Sequence, residues 1–306
     1  MNQHINLFGK YLITSANSIV HDPFRTFFLK NNMFEDIFNL KKPIDVQEEF
    51  LEFYLKWILS SNLNTFTGLD SFPYRYVSLG VTQSIDDFVL FCSQTNKNIK
   101  IFKGEYPYVR EIINKEVSYL DDQFPSKNDA VVVSYPFSAS GDEHPRWHEL
   151  ISHCNQNQIP VFVDCAFFGT CLDLSVNFDH PCINSVSFSP TKGLNCGFFR
   201  TGILFTKRKS KECSLDIQTS WHHGIHLHTA MALELMKKFG PDTIPLIYRD
   251  SQIKVCEYYN LFPSKTIHLG IGDSNWEYFS RDNVINRIGL KNPIYDLHNK
   301  GLDFLK

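Results

Sequence analysis

The chain has 306 residues, 43% of them hydrophobic, and its 30 Lys+Arg against 33 Asp+Glu leave a formal net charge of −3. A chain of this length buries a substantial core, as one large domain or a large domain with a small one. Its balanced charge offers no electrostatic footprint for nucleic acid, and no run of about 18 apolar residues marks a membrane span.

The N-terminus, Met1-Asn2-Gln3-His4-Ile5-Asn6-Leu7-Phe8-Gly9-Lys10, lacks a basic region followed by an apolar core and a small-residue cleavage site. Eight cysteines, at positions 92, 154, 165, 171, 182, 196, 213 and 256, include no Cys-x-x-Cys pair. Metal and thioredoxin readings therefore fail, and a cytoplasmic chain with reduced thiols is expected. An N-terminal helical segment, residues 1–65, contains a predicted helix over Val46–Ser60.

Next comes a strand over Tyr76–Leu79, a turn at Gly80 and a helix over Thr82–Cys92. Thr82 is the expected N-cap, and the free N–H groups of the first turn, Val81 included, make a cradle for phosphate at the positive end of the helix dipole. An ordinary cap with no ligand has the same local sequence. A strand over Lys100–Phe102 leads into Gly104-Glu105-Tyr106-Pro107-Tyr108, where Tyr106, or failing it Tyr108, can lie flat against a planar ligand. With 27 phenylalanines and 13 tyrosines in the chain, one aromatic carries little weight alone.

A strand over Ala130–Ser134 runs into Tyr135-Pro136-Phe137-Ser138 and then a helix over Arg146–Asn157. The strand Val161–Val163 ends in Asp164, which places a carboxylate at the carboxyl edge of a parallel sheet, where ligands of open α/β folds bind. Such a buried charge is costly unless paired. Ser185–Phe188 and Gly202–Thr206 read as two buried strands, and the loop between them carries Ser189, Lys192 and Arg200. A lysine drawn into a partly dry site near another cation is biased toward its neutral, nucleophilic form.

Lys207-Arg208-Lys209-Ser210-Lys211 reads as a solvated turn. Helices are expected over His228–Phe239 and, after Gly240-Pro241-Asp242, over Leu246–Asn260. Thr266–Gly270, Trp276–Phe279 and Asn286–Leu290 are expected to form a short sheet in a small C-terminal subdomain, residues 241–306. Two histidine groups, His222, His223, His226 and His228, and His144, His148 and His153, lack carboxylates at ligand spacing, so no metal is expected. The alternation across residues 66–240 predicts a three-layer α/β/α domain with a mostly parallel central sheet.

Taken together, these segments resemble fold-type I pyridoxal-phosphate (PLP) enzymes, the aspartate aminotransferase superfamily, over roughly Phe66 to Phe205. Ser189-Pro190-Thr191-Lys192 followed by Arg200 resembles the family's cofactor-lysine motif, and Gly80-Val81-Thr82-Gln83 its Gly-x-Thr-Gln loop. Val161-Phe162-Val163-Asp164-Cys165-Ala166-Phe167 resembles Val-x-x-Asp-x-Ala-Tyr, with Phe167 in place of tyrosine. Ser138 stands where the family's Asn-Pro-x-Asn-Pro-Thr-Gly loop has its second asparagine. Asn286-Arg287-Ile288-Gly289-Leu290 resembles the segment carrying the carboxylate-binding arginine.

The resemblance implies pyridoxal 5'-phosphate as cofactor, with Lys192 as its Schiff-base lysine and Asp164 on the pyridine nitrogen. Tyr106 would stack on the ring, and Val81, Thr82, Ser189 and Arg200 would hold the phosphate. Arg287 would grip the substrate carboxylate. It implies an aminotransferase using an amino acid or related amine and a keto acid, working as a homodimer. A lyase, racemase or replacement enzyme on the same scaffold, or a non-catalytic relative, stays open. In the family the tyrosine and asparagine both bond the cofactor's phenolic oxygen. Losing one charge-assisted hydrogen bond of roughly 1.5–3 kcal/mol would raise the imine pKa by about one to two units.

Overall fold

The computed structural model describes residues 12–30, 43–113, 117–210, 214–221 and 225–301. The N-terminal decapeptide, Lys211, Cys213, His222 and His223 lie outside them. In chain order the strands are β1 (Asn64–Thr67), β2 (Tyr74–Ser78), β3 (Asn98–Ile101), β4 (Ser118–Tyr119), β5 (Asp129–Ser134), β6 (Val161–Cys165), β7 (Leu174–Asn177), β8 (Ile183–Phe188), β9 (Gly202–Thr206), β10 (Phe262–Pro263), β11 (Leu269–Gly272), β12 (Ser280–Arg281) and β13 (Ile285–Gly289).

Seven of these strands form the central sheet in the order β2-β9-β8-β6-β5-β3-β4. The run from β8 to β4 is parallel, while β9 is antiparallel to both of its neighbours. The reversal has a simple origin. β8 and β9 are joined by the lysine loop rather than by a crossover helix, and a strand that returns without a crossover runs antiparallel.

β5, β6 and β9 are buried along their whole length, as expected of strands covered on both faces. Alternate residues feed separate cores. Ala130, Val132, Phe162 and Leu204 pack with Val81, Ile85, Phe88 and Cys92 of the helix Val81–Gln94. Val131, Val133, Val161 and Val163 join Leu150, Ile151 and Cys154 of the helix Trp147–Asn157 on the other face. This period of two gives the three-layer α/β/α architecture.

A second sheet, wholly antiparallel, has the order β10-β11-β13-β12. Trp276–Phe279, expected as a strand, lies in a 3₁₀ helix, Ser274–Phe279, whose first turn is capped when Asn275 N–H donates to Asp273 Oδ1 at 2.9 Å. That local bond competes with a ladder, and the helix buries Trp276 and Phe279 inward. Thr266–His268 turns before β11 starts at Leu269. The helices Asp22–Lys30, Pro107–Ile112, Ser214–Ser220 and Lys291–Lys300 add to those expected.

Two long-range ties close the molecule. Ile13 bridges Gly289 of β13, with Gly289 N–H donating to Ile13 O at 2.6 Å. The buried Asp242 carboxylate accepts from Ser61 Oγ and Asn62 N, both at 2.6 Å, so the two expected domain boundaries meet at one acid. Among the described residues no helix is long and apolar enough to cross a membrane, and the seven described cysteines are free and buried.

Gly202 fixes how closely β9 approaches the turn before the helix Val81–Gln94. A Cβ there would lie 2.5 Å from Phe188 O and 3.0 Å from Gly80 Cα, both backbone atoms that cannot swing aside. Gly202→Ala should therefore lower stability by about 1–3 kcal/mol in urea unfolding. Gly197→Ala, with nothing within 4 Å of its Cβ, should change it by less than about 0.5 kcal/mol.

Candidate functional site

The carboxyl ends of three adjacent strands lie level, with Ser134 of β5 paired to Asp164 of β6 and Asp164 to Ser187 of β8. The loops that follow them rise together at one edge of the sheet. A cavity of about 420 Å³ opens among them, lined by Val81, Thr82, Tyr106, Ser138, Asp164, Phe167, Ser189, Lys192, Arg200 and Arg287. Residues separated by most of the chain thus share one space.

At one end lies a cradle suited to an anion. The helix Val81–Gln94 is entered through Gly80, at φ 92°, so Gly80 and not Thr82 is the cap. Thr82 sits in the first turn, where its Oγ1 accepts from Arg200 Nη2 at 2.8 Å. A Cβ on Gly80 would stand 3.2 Å from Arg200 Nη2 and 3.5 Å from Ser189 Oγ. Glycine leaves that point open, and a guanidinium, a hydroxyl and a helix N-terminus converge on it. Ser189 is held there by donating to Thr201 O at 2.9 Å.

Deeper in, Asp164 is 6% exposed and accepts from Ala166 N at 2.7 Å. Burial pushes its pKa up, while the Ala166 N–H and the Lys192 charge pull it down. Lys192 is half-buried on the opposite wall. Burial lowers its pKa most; Asp164 raises it, and Arg287 and Arg200 lower it further. Desolvation leads for both groups, so each waits for a partner better than water. The Lys192 Nζ lies 5.0 Å from the centre of the Phe167 ring, within cation–π range.

Tyr106 ends the β3 loop as the residue before the helix Pro107–Ile112, 37% exposed on the cavity wall. Tyr108 instead stacks behind it at 5.9 Å and donates its hydroxyl to Asp86 at 2.6 Å. Arg287 is buried, its Nη1 donating to Ser138 O and its Nη2 to Thr14 O, both at 2.7 Å. Two of its five N–H donors serve the fold, and its buried Nε has no protein partner.

Three features of this site escape the motif reading. Glu105 is a buried carboxylate that accepts from Ser134 N and Tyr106 N at 2.8 Å and from the Ser134 hydroxyl. It lies in the turn four residues past the end of β3, beyond the reach of the strand-end rule that singled out Asp164. Arg281 and the stretch Thr14–Asn17 also line the cavity. They come from the two-residue strand β12 and an N-terminal segment with no local signature. Behind Phe167, at 5.2 Å edge-on, sits His268, whose buried imidazole is held well below its usual pKa by burial and the Lys192 and Arg287 charges.

The three histidines around the helix Trp147–Asn157 have structural partners. His144 stacks on Phe102 at 3.7 Å, His148 pairs with Glu143 at 3.2 Å, and His153 donates to Pro125 O at 2.8 Å. Among the described residues no group of three or more His, Cys, Asp or Glu is placed to hold a metal ion.

No family model matches the chain, and no curated protein matches it in sequence. Solved structures do match in shape. A PLP-bound protein of Clostridium difficile 630, provisionally an aminotransferase, superposes with TM-score 0.68 at 13% identity, covering 95% of this chain and 90% of that one. The histidinol-phosphate aminotransferase of Clostridium acetobutylicum gives 0.58 at 13% identity, with coverage of 93% and 98%. A PLP-bound C–S lyase of Staphylococcus hominis, complexed with L-cycloserine, gives 0.61 at 12%, with coverage of 84% and 78%. The fold is therefore that of the fold-type I PLP-dependent enzymes.

Burial raises the Glu105 pKa from 4.5 to about 7, with Asp164 adding to the rise and the Ser134 and Tyr106 donors opposing it. Folding then takes up a proton at Glu105 between those two values, so the contribution of this group to stability is lost as pH rises from about 4.5 to 7. Glu105→Gln cannot titrate. Its unfolding free energy relative to wild type should shift in the variant's favour by on the order of 3 kcal/mol across that window. A pH-independent difference in parallel urea titrations would contradict the assignment.

Proposed function

We propose that this protein is a pyridoxal 5'-phosphate-dependent aminotransferase, moving an amino group between an amino acid or related amine and a keto acid. What supports the reading is the convergence, in one cavity, of a desolvated amine, a buried carboxylate and an anion cradle. These match three of the cofactor's polar points, its aldehyde, ring nitrogen and phosphate. The open space at Gly80 between Arg200 and Ser189 fits a phosphate. Asp164, costly to bury unpaired, fits a protonated ring nitrogen. When bound, the cofactor supplies an aldehyde that condenses with amines and a ring that accepts the electron pair left by a departing α-proton.

The chain's residues divide the remaining work. Lys192 would hold the cofactor's aldehyde through its amine and, once a substrate amine took that place, would be the base positioned to take the α-proton. For that it must be neutral, which burial and its arginine neighbours favour. Asp164 keeps the ring nitrogen protonated, Tyr106 covers a ring face, and Val81 N–H, Thr82, Ser189 and Arg200 hold the phosphate. Arg287, with N–H groups to spare, takes the substrate's α-carboxylate. Phe167 offers no donor to the phenolic oxygen, and Ser138 has shorter reach than an amide. The site would therefore offer the phenolic oxygen fewer donors than a tyrosine–asparagine pair. The reading carries with it a homodimer acting in the cytoplasm, and light scattering checks the first of these.

Purified protein given pyridoxal 5'-phosphate should turn yellow, and borohydride should bleach the colour while fixing the cofactor covalently to the chain. Lys192→Ala should lose the covalent label and about 10²- to 10⁴-fold in turnover, and Asp164→Ala should also fall by at least about 10²-fold. Amine-dependent consumption of a keto acid separates amino transfer from elimination, which needs no acceptor. A colourless wild type, or a label that persists in Lys192→Ala, would refute the assignment.

A further inference from the structure

Resting on the cofactor reading above, we propose that Glu105 is a positioning residue for that site, a second buried acid coupled to Asp164 through Ser134, whose negative charge helps Asp164 hold a positively charged ring nitrogen.

The two carboxyl groups share one end of the sheet. Ser134 of β5 and Asp164 of β6 are register partners, so their side chains leave the sheet on the same face, and both line the cavity. The Glu105 carboxylate is bound to that same Ser134. It accepts from Ser134 N at 2.8 Å and from the Ser134 hydroxyl, and its third donor is Tyr106 N at 2.8 Å. The hydroxyl in turn accepts from Ser138 N at 2.8 Å. Ser134 thus links the second acid to the wall that carries the first.

Among the described residues no cation pairs with the Glu105 carboxylate. The groups around it are Tyr106 and Lys103 on its own turn, Asp164 on β6, and Arg281 and Asp282 at the end of β12. Arg281 reaches the Glu105 backbone oxygen, at 2.9 Å, rather than the carboxylate. Asp282 is turned to Arg110 and Lys103 to Asp122, both at 2.8 Å. What Glu105 does feel is Asp164, whose charge adds to the burial that lifts the Glu105 pKa to about 7.

Two like charges in one buried corner raise each other's proton affinity. A cation seated on Asp164 removes that repulsion, so Glu105 ionises more readily. By reciprocity, its ionisation strengthens the hold on the cation. A protonated ring nitrogen is such a cation, and a ring carbon is not. The sign follows: binding lowers the Glu105 pKa and releases a proton, so the Glu105 contribution to affinity grows as pH rises toward about 7 and is constant above it. An amide at position 105 keeps an acceptor for Tyr106 and Ser134 but carries no charge to couple.

The test compares two ligands on the full chain freed of cofactor: pyridoxal 5'-phosphate, and its carbocyclic analogue with C–H in place of the ring nitrogen. Calorimetry gives both affinities between about pH 5.5 and 8 for wild type and Glu105→Gln. The wild-type to variant ratio should rise roughly 3- to 10-fold across that range for the cofactor and stay flat for the analogue. Titrations of the ligand and of Lys192 are common to both proteins and cancel in the ratio. A ratio flat for both ligands, or rising equally for both, would mean that Glu105 only shapes its turn and would overturn the proposal. A second measurement needs no variant. In wild type labelled with carboxyl-¹³C glutamate, the resonance that titrates near 7 should do so about 0.5–1 pH unit lower once the cofactor is bound, and an unmoved midpoint would also overturn it. A chain that binds the cofactor with a flat ratio defeats this inference alone, whereas one that takes up no cofactor defeats the functional reading and this inference with it.

Discussion

Burial of a carboxylate and an amine in one cavity, at Asp164 and Lys192, is the constraint around which the rest is arranged. Removing either charge from water costs several kcal/mol, and their mutual attraction offsets only part of that. The wall around them offsets a further part through a backbone donor to Asp164 and the Phe167 ring near the ammonium. The balance stays incomplete. Desolvation remains the leading influence on both groups. A site held in that condition binds whatever neutralises it, which is how a scaffold converts folding energy into affinity.

The sheet makes the arrangement possible. Because β5, β6 and β8 end level, Ser134, Asp164 and Ser187 share a line, and each following loop contributes one chemical group. The antiparallel return of β9 matters as much. It brings Gly202 against Gly80, so that Arg200 and Ser189 stand over the N-terminus of the helix Val81–Gln94. A crossover in place of this hairpin would have carried Arg200 to another part of the sheet. Here the topology and the anion cradle have one cause.

Much of this was legible in sequence, for reasons that differ by residue. Asp164, Lys192 and Arg200 follow apolar strands, and the alternation of strand and helix fixes the edge at which such loops gather. Thr82 misled as a cap because glycine in a left-handed turn did the capping, a conformation that no side-chain preference announces. Trp276–Phe279 has the aromatic content of a strand, but Asp273 closes a turn on Asn275 and the segment coils. Glu105 and Arg281 were missed for related reasons. Glu105 sits in a turn past β3 and is buried by its bonds to Ser134, while Arg281 enters the cavity through a tertiary contact with Glu105 O that has no local trace.

Arg287 shows how a site on a shorter scaffold can close. Its guanidinium donates to Thr14 of the N-terminal stretch and to Ser138 in the loop after β5, while its own strand belongs to the second sheet. The Ile13–Gly289 bridge lies two residues further along the same strand. One side chain thus ties three parts of the chain together before any substrate arrives. Holding a cation in that position costs desolvation, seen in the depression of its pKa to about 9. The cost is tolerated because the two backbone oxygens offset part of it and fix the guanidinium plane. Its remaining N–H groups are then oriented in advance, and an incoming carboxylate need not pay the entropy of ordering a free arginine.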